Sequence, residues 1–484
     1  MSSIPYTSYT KIDKTNVLPF SPMLSSLIRK GQYIAIDFEF TGLGEMGYNK
    51  LEKDINLRYK KMRENVQQFS LLSMGLSFFH QKESNENLFL ANSFELTLSC
   101  QTTYKINPSS LEFLLDNGFD INNQIKNGIP YFPGDNGIDK ELLKKIEPNN
   151  KKFKREERPL SQPEKYNRIL RTMVYELITS SCTLILHNGL LDLMYLYNSF
   201  FATLPLNLDT FIADVSSWPI IQQNGLFDTK CLAEFQFREK ASYLSFLFNK
   251  AYREQTVLKK MKQIMEDDSN ELKNINYFEV NIQPGVNLNN KIENDKKEVK
   301  INPKDSIDYN IDIKIDKEYC MRYIYHGNCP NKPNKQLDLG QGPNQQKCMK
   351  SHHLLNYLNH CLKLQLYNTK NNSDPNVQVF LFEHFKSNTN IYQQSLKVAE
   401  DIFISNKDPT LSDTKHTAPY DAFMTAYTFL HFLFYPDVKL RLDNNKEFKN
   451  NIYLMGRNLP LKIVKSKFTQ CSNSANIILN NLLN

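Results

Sequence analysis

The run Tyr33-Ile34-Ala35-Ile36-Asp37-Phe38-Glu39-Phe40-Thr41-Gly42-Leu43-Gly44 decides how the rest of the chain is read. Ile34 to Phe40 is rich in β-branched and aromatic residues, which predicts a strand ended by a glycine-bounded turn. Residues i and i+2 share a face of a strand, so Asp37 and Glu39 point the same way. With Ile36 and Phe38 packed on one side, the two carboxylates are pressed together on the other. Like charges so placed repel each other and lose hydration, and a cation relieves both penalties. Hard oxygen ligands suit Mg²⁺ or Mn²⁺. A half-exposed edge strand with alternating acids fits the same spacing, so the decision lies in the residues that follow.

The chain has 484 residues, enough for two or three domains and at least one large core. Charged residues make up 23% and hydrophobic residues 40%, ordinary values for a soluble globular protein. A formal net charge of +7 and a pI near 8.7 lean toward a polyanionic partner. The eight cysteines are scattered, without a disulfide-dense module or an opening signal peptide, so reduced thiols in the cytosol or nucleus are expected. The longest apolar stretch, Phe423 to Tyr435, is shorter than a membrane span and broken by His431; it predicts a buried helix and no membrane partner.

Working outward, Phe20–Ile28 and Leu51–Gln68 have helical period, and Ser70–Phe79 and Asn87–Leu98 read as strands. Pro108 opens a helix that Gly118 ends, and Gly128–Tyr131 reads as a turn. Residues 136–165 are polar and lysine-rich, with Lys151–Arg155 a solvated loop, a nuclear-import patch or an RNA contact. Tyr166–Thr179 predicts a helix, Thr183–Leu186 a buried strand, and the residues to Phe201 an apolar helix. Thr210–Val215 suggests another strand, and Asp228 the cap of a helix through Phe235. Residues 259–315 are dense in Asn, Lys, Asp and Glu, a low-complexity insertion broken by the strand-like run Tyr277–Ile282.

Three separated acidic sites fall at strand–helix junctions. The first is Asp37 with Glu39. The second is Asp192, in His187-Asn188-Gly189-Leu190-Leu191-Asp192. The third is Asp421, in His416-Thr417-Ala418-Pro419-Tyr420-Asp421, just before an apolar helix. Four carboxylates brought to one point can hold two divalent ions roughly 3.5–4 Å apart, the arrangement that clamps attacking and leaving oxygens in phosphodiester cleavage. His416, five residues ahead of Asp421, can take a proton from the attacking water. Alone, each piece is weak: an Asp near a helix start is more often a cap.

The ordered set resembles the DEDD exonuclease superfamily in its DEDDh form. Asp37–Leu43, Asn127–Tyr131, His187–Asp192 and Tyr420–Phe423 look like the poly(A)-specific ribonuclease branch. Within that branch the chain is most similar to the target-of-early-growth-response nuclear deadenylases, through Thr210–Asp214, Phe227–Lys230, Tyr453–Gly456 and Ile463–Ser466. The resemblance implies an α/β, ribonuclease H-like mixed sheet flanked by helices. It also implies Mg²⁺ dependence and 3′-to-5′ trimming of single-stranded RNA ends, with poly(A) favoured. Asp37, Glu39, Asp192 and Asp421 would be metal ligands and His416 the general base, with Asp228 in support. Relatives in the branch dimerise, so a homodimer is an expected partner.

The implied organisation is a nuclease domain from 15 to 258, completed by 411–436. It is interrupted by the insertion at 259–315 and a finger at 318–360, and followed by a tail at 437–484 with strands near Ile452–Met455 and Leu459–Val464. In the finger, eight residues separate Cys320 from Cys329 and three separate Cys348 from His352. Three thiolates and an imidazole make a closed tetrahedral zinc site. The similar deadenylases carry such a structural zinc, but here eighteen residues separate Cys329 from Cys348, a longer gap than usual, and His326 and His353 compete as ligands. Tyr323, Tyr325, Arg322 and Lys350 would suit stacking on RNA. The expected protein is a nuclear 3′-to-5′ exoribonuclease that trims messenger tails or small nuclear RNA ends. A non-catalytic RNA-binding scaffold and a DNA 3′ exonuclease stay open as rivals.

Overall fold

The structure is a computed structural model that describes residues 8–44, 52–139, 159–265, 277–285, 315–329, 348–367, 389–405, 416–434 and 447–483. Its centre is a mixed ten-stranded sheet. In chain order the strands are β1 (Thr10–Ile12), β2 (Tyr33–Phe40), β3 (Leu71–Lys82), β4 (Asn85–Cys100), β5 (Ile129–Tyr131), β6 (Thr183–Leu186), β7 (Leu226–Asp228), β8 (Glu279–Ile282), β9 (Asn451–Ile452) and β10 (Leu461–Lys462). The spatial order is β1-β4-β3-β2-β6-β7-β9-β10. β4 is long enough to collect three short parallel partners along one edge: β8 at Leu88–Ala91, β1 at Phe94–Leu96 and β5 at Leu98–Cys100.

The main helices are α1 (Val17–Lys30), α2 (Ile55–Gln68), α3 (Pro108–Asp116), α4 (Ile121–Asn127), α5 (Gln162–Thr179), α6 (Leu190–Phe200), α7 (Leu208–Ser216), α8 (Leu244–Met265), α9 (Leu354–Tyr367), α10 (Thr389–Glu400), α11 (Ala418–Leu433) and α12 (Asn473–Leu483). The period-2 rule sorts them onto two faces. Ile34, Ile36 and Phe38 of β2, with Met74, Leu76 and Phe78 of β3, enter a core shared with α1, α2, α5, α6 and α12. Ala35, Phe79, Phe89 and Ile185 face the other way, into a core built by α8, α9 and α11. Asp37 and Glu39 share the parity of Ala35, so they open onto the face that α11 covers. The mixed α/β sheet flanked by helices is the expected fold class.

Four local readings change. Thr210–Val215 lies within α7, not a strand: Leu208, Phe211, Ile212 and Val215 recur at helical spacing and are all buried. Gly128–Tyr131 is not a free turn. A Cβ on Gly128 would sit 2.9 Å from Ser99 Cβ, so this glycine lets β5 pair with β4. α8 runs on past residue 258, and β8 adds to the central sheet, so part of the low-complexity region belongs to the fold. The tail holds α12 as well as its two strands. Lys151–Arg155 and the Pro330–Lys347 gap lie outside the described residues. Among the described residues, no helix is long and apolar enough to cross a membrane.

Candidate active site

Asp37 sits in the middle of β2, with β3 on one side and β6 on the other. The residue paired with it on β3 is Gly75. A Cβ there would lie 2.1 Å from the carbonyl carbon and oxygen of Ala418 and 2.5 Å from Pro419 nitrogen. The start of α11 therefore rests on bare backbone beside Asp37, and Asp421 follows in that helix's first turn. This is what a lone glycine inside an apolar strand signals: close approach of another backbone. From the far side comes Asp192, in the first turn of α6 just past the end of β6.

The structure brings Asp37, Glu39, Asp192 and Asp421 into one electrostatic cluster. Burial raises the pKa of Asp37 well above the carboxylate range, and the charges of Asp421, Asp192 and Glu39 raise it further. Glu39 is raised by burial, then by Asp421, Glu95 and Asp192. Asp192 is pushed up to about 7, chiefly by burial. The charges that act most on Asp37 and Glu39 are acidic. Asp421 Oδ1 is buried and has no hydrogen-bond partner among the described residues. Half-buried carboxylates crowded together, one with an oxygen that no described residue bonds, fit a divalent metal site.

His416 lies at the rim, with Nδ1 3.4 Å from Asp421 Oδ2 and its side chain 47% exposed. Its backbone N–H donates to Asn117 Oδ1 at 3.1 Å, and its ring lies 6.0 Å from that of Phe113. His416 and Glu39 line one recess, together with Glu95, Thr97 and Asn123. Glu95 is an acid that sequence reasoning missed. It pairs across from Gly75 on β4, is buried, and lies 3.9 Å from Lys11 Nζ.

The loop that carries Asp192 is held by Asp228, at the end of β7. Its carboxylate accepts N–H bonds from Asn188 (2.9 Å) and Gly189 (3.1 Å), from Lys230 and Cys231 at the next helix start, and from Tyr453 (3.1 Å) in the tail. Asn188 adopts a left-handed φ of 57°, a turn that these bonds stabilise. His187 Nδ1 meets Thr229 Oγ1 at 2.9 Å, and burial holds its pKa well below the usual imidazole value.

A second constellation lies in the 315–367 region. One ligand atom from each of Cys320, Cys329, Cys348 and His352 lies within 4.8 Å of every other. His326 and His353 are not in this group. Tyr319 and Ser351 form a parallel bridge that aligns the two halves. Tyr323 is edge-on to His352 at 5.2 Å. Tyr319, Ile324, Tyr357 and Leu358 enter the same core as α11.

The CAF1 ribonuclease family matches residues 12–429, a span that includes all four acids and His416. The chain is 34% identical over 122 residues to poly(A)-specific ribonuclease PNLDC1 of Mus musculus, covering 23% of each chain. It is 28% identical over 137 residues to poly(A)-specific ribonuclease PARN of Xenopus laevis, covering 25% of this chain and 21% of that one. The chain thus spans less than a quarter of the length of these curated relatives. The RNase domain of the yeast Pop2 protein is similar over 52% of this chain and 78% of that one, at 17% identity and a TM-score of 0.35. The Mg²⁺- and Mn²⁺-bound form of S. pombe Pop2p is similar over 48% of this chain and 77% of that one, at 15% identity and a TM-score of 0.33. With most of its length matched by one ribonuclease family, the chain belongs to the CAF1 family of ribonucleases.

Proposed function

We propose that the chain is a 3′-to-5′ exoribonuclease of the deadenylase type, which shortens adenosine-rich RNA ends and releases nucleoside 5′-monophosphates. The observation that carries this reading is the convergence of Asp37, Glu39, Asp192 and Asp421 into a half-buried acidic cluster in which Asp421 Oδ1 has no hydrogen-bond partner among the described residues. These four residues would hold two Mg²⁺ ions, with Mn²⁺ as a substitute. When bound, the ions neutralise the charge that builds on the attacking and leaving oxygens of a phosphodiester. His416 takes the proton of the attacking water, and its exposed ring passes that proton to solvent. Asp421 orients the imidazole through Nδ1, leaving Nε2 to accept. The relatives named as poly(A)-specific ribonucleases support the preference for adenosine.

We extend the proposal to a structural zinc on Cys320, Cys329, Cys348 and His352, whose soft donor set and closeness suit it. The finger motif also supports a place among the nuclear deadenylases that mature small nuclear RNA 3′ ends, acting in the nucleus as a homodimer. For the catalytic reading, the test uses Asp37→Asn and Glu39→Gln, which keep shape and remove charge. RNA ending in oligo(A), RNA ending in oligo(U) and single-stranded DNA are incubated in Mg²⁺. Wild type should shorten the oligo(A) end fastest and yield AMP, while each variant loses roughly a thousandfold or more in rate at unchanged secondary structure. Variants that keep wild-type rates would overturn the assignment.

A further inference from the structure

From Phe448 to Asn484 the chain has no aspartate or glutamate, yet it carries Lys449, Arg457, Lys462, Lys465 and Lys467. The reaction proposed above uses none of these residues. The segment is firmly anchored. Tyr453 N–H donates to Asp228, Ile463 N–H donates to Asn450 O at 2.7 Å, and Ser472 N–H donates to Asp214 Oδ1 at 2.7 Å. Between the last two anchors, Val464, Lys465, Ser466, Lys467 and Phe468 are all exposed. The Phe468 ring is 97% exposed and Val464 60%. This stretch is not slack: Ser466 Oγ accepts the Phe468 N–H and Ser466 O the Thr469 N–H, each at 3.3 Å. A pinned turn thus displays a bare aromatic ring together with Lys465 and Lys467, with Lys462 just ahead of it.

A ring with a purely structural role would be buried. A complementary apolar protein surface would have no use for ammonium groups so near it in the chain. Phosphates need those groups, and unpaired bases need a flat ring to stack on. We infer that the strip from Arg457 to Phe468 binds the body of a single-stranded RNA whose 3′ end occupies the carboxylate cluster. The inference rests on the exoribonuclease reading. In the sheet order β2-β6-β7-β9-β10 the strip lies four strands from Asp37. At roughly 4.8 Å per strand that is about 20 Å, so only RNAs longer than a few nucleotides reach both sites.

The test uses the full chain with Lys462→Glu, Lys465→Glu and Lys467→Glu combined, and separately with Phe468→Ala. These side chains are on the surface, so melting temperatures should match wild type. Binding is read in Mg²⁺ on the Asp37→Asn background with labelled oligo(A) of about twenty nucleotides, and cleavage on the active chain with that oligomer and one of about four. The triple variant should bind the long RNA at least tenfold more weakly, with a salt slope shallower by about two to three. Phe468→Ala should weaken long-RNA binding roughly tenfold at an unchanged slope. Cleavage of the short oligomer should be unaltered in both. Long-RNA affinity and slope that stay at wild-type values would overturn the inference. A wild-type chain that neither binds nor shortens the long RNA would instead overturn the exoribonuclease reading beneath it.

Discussion

One absent side chain sets how near the fourth acid comes to the first. With the Ala418 carbonyl 2.1 Å from where a Gly75 Cβ would be, Gly75→Ala must push back the start of α11 and carry Asp421 with it. We expect a folded variant with rates about 100-fold lower, as for a displacement of roughly an ångström in a catalytic group. Mn²⁺ titration by electron paramagnetic resonance should show weaker binding; wild-type affinity would contradict the geometry. The acids also make a pH prediction. Unfolded, their carboxyls ionise near pH 4. Folded and metal-free, Asp37, Glu39 and Asp192 keep protons to higher pH, Asp192 to about 7. The folded state thus binds more protons in that window, so their contribution to stability falls as pH rises through it. Melting in chelator should show this loss between about pH 4 and pH 7, and Asp192→Asn should lose its share. Mg²⁺ should restore more at the upper end, since it binds the ionised form. Asp37 and Glu39 were legible because a strand's period puts them on one face. Glu95 was not, because nothing local marks an acid whose relevance comes from a partner strand. Gly75 did leave a signal, a glycine among bulky residues, but its meaning depends on a helix that begins more than three hundred residues later.

At the scale of elements, α11 links the two constellations. Phe248 of α8 packs edge-on against Tyr420, Phe423 and Tyr427 of α11, at 6.0, 6.1 and 5.3 Å. Tyr243, just ahead of α8, lies against Gly327 of the finger. A zinc ion in the Cys₃His group would therefore brace the underside of the helix that carries Asp421. Mass spectrometry should find one zinc per chain in wild type and none in a Cys320→Ser/Cys348→Ser variant. In that variant, hydrogen exchange should quicken along α11 as well as in the finger. Exchange confined to the finger would show that the two are mechanically separate. β7 offers a sharper case. Removing the Asp228 carboxylate by Asp228→Ala strands N–H groups from three segments, and should cost about 3 kcal/mol or more in urea unfolding. The sequence marked Asp228 as a helix cap, which it is, but its bonds to Asn188, Gly189 and Tyr453 depend on tertiary packing. α7 was misread for a related reason: a short β-branched, apolar run carries both periods, and only its buried neighbours decide.

At the scale of the whole molecule, the tail belongs to the first core rather than trailing from it. Ile452, Leu454, Ile463, Ala475, Ile478 and Leu479 are buried there with the residues of α1 and α6. Truncation after Glu447 should leave a chain that aggregates or lacks a cooperative melt, seen by circular dichroism and light scattering. A soluble truncation that melts like wild type would refute this. The sheet and its helical layers could be anticipated from local periodicity. The joining of the 277–285 segment and the tail to that sheet could not, because their strands are only a few residues long and draw their stability from partners far away in sequence. The same remoteness governs when the enzyme comes into being. Asp421 follows Asp37 by more than three hundred residues, and the strands that brace β7 come later still. Until α11 has been made and docked, β2 carries two crowded carboxylates with half of their metal-binding set missing, so the centre forms only after long-range folding.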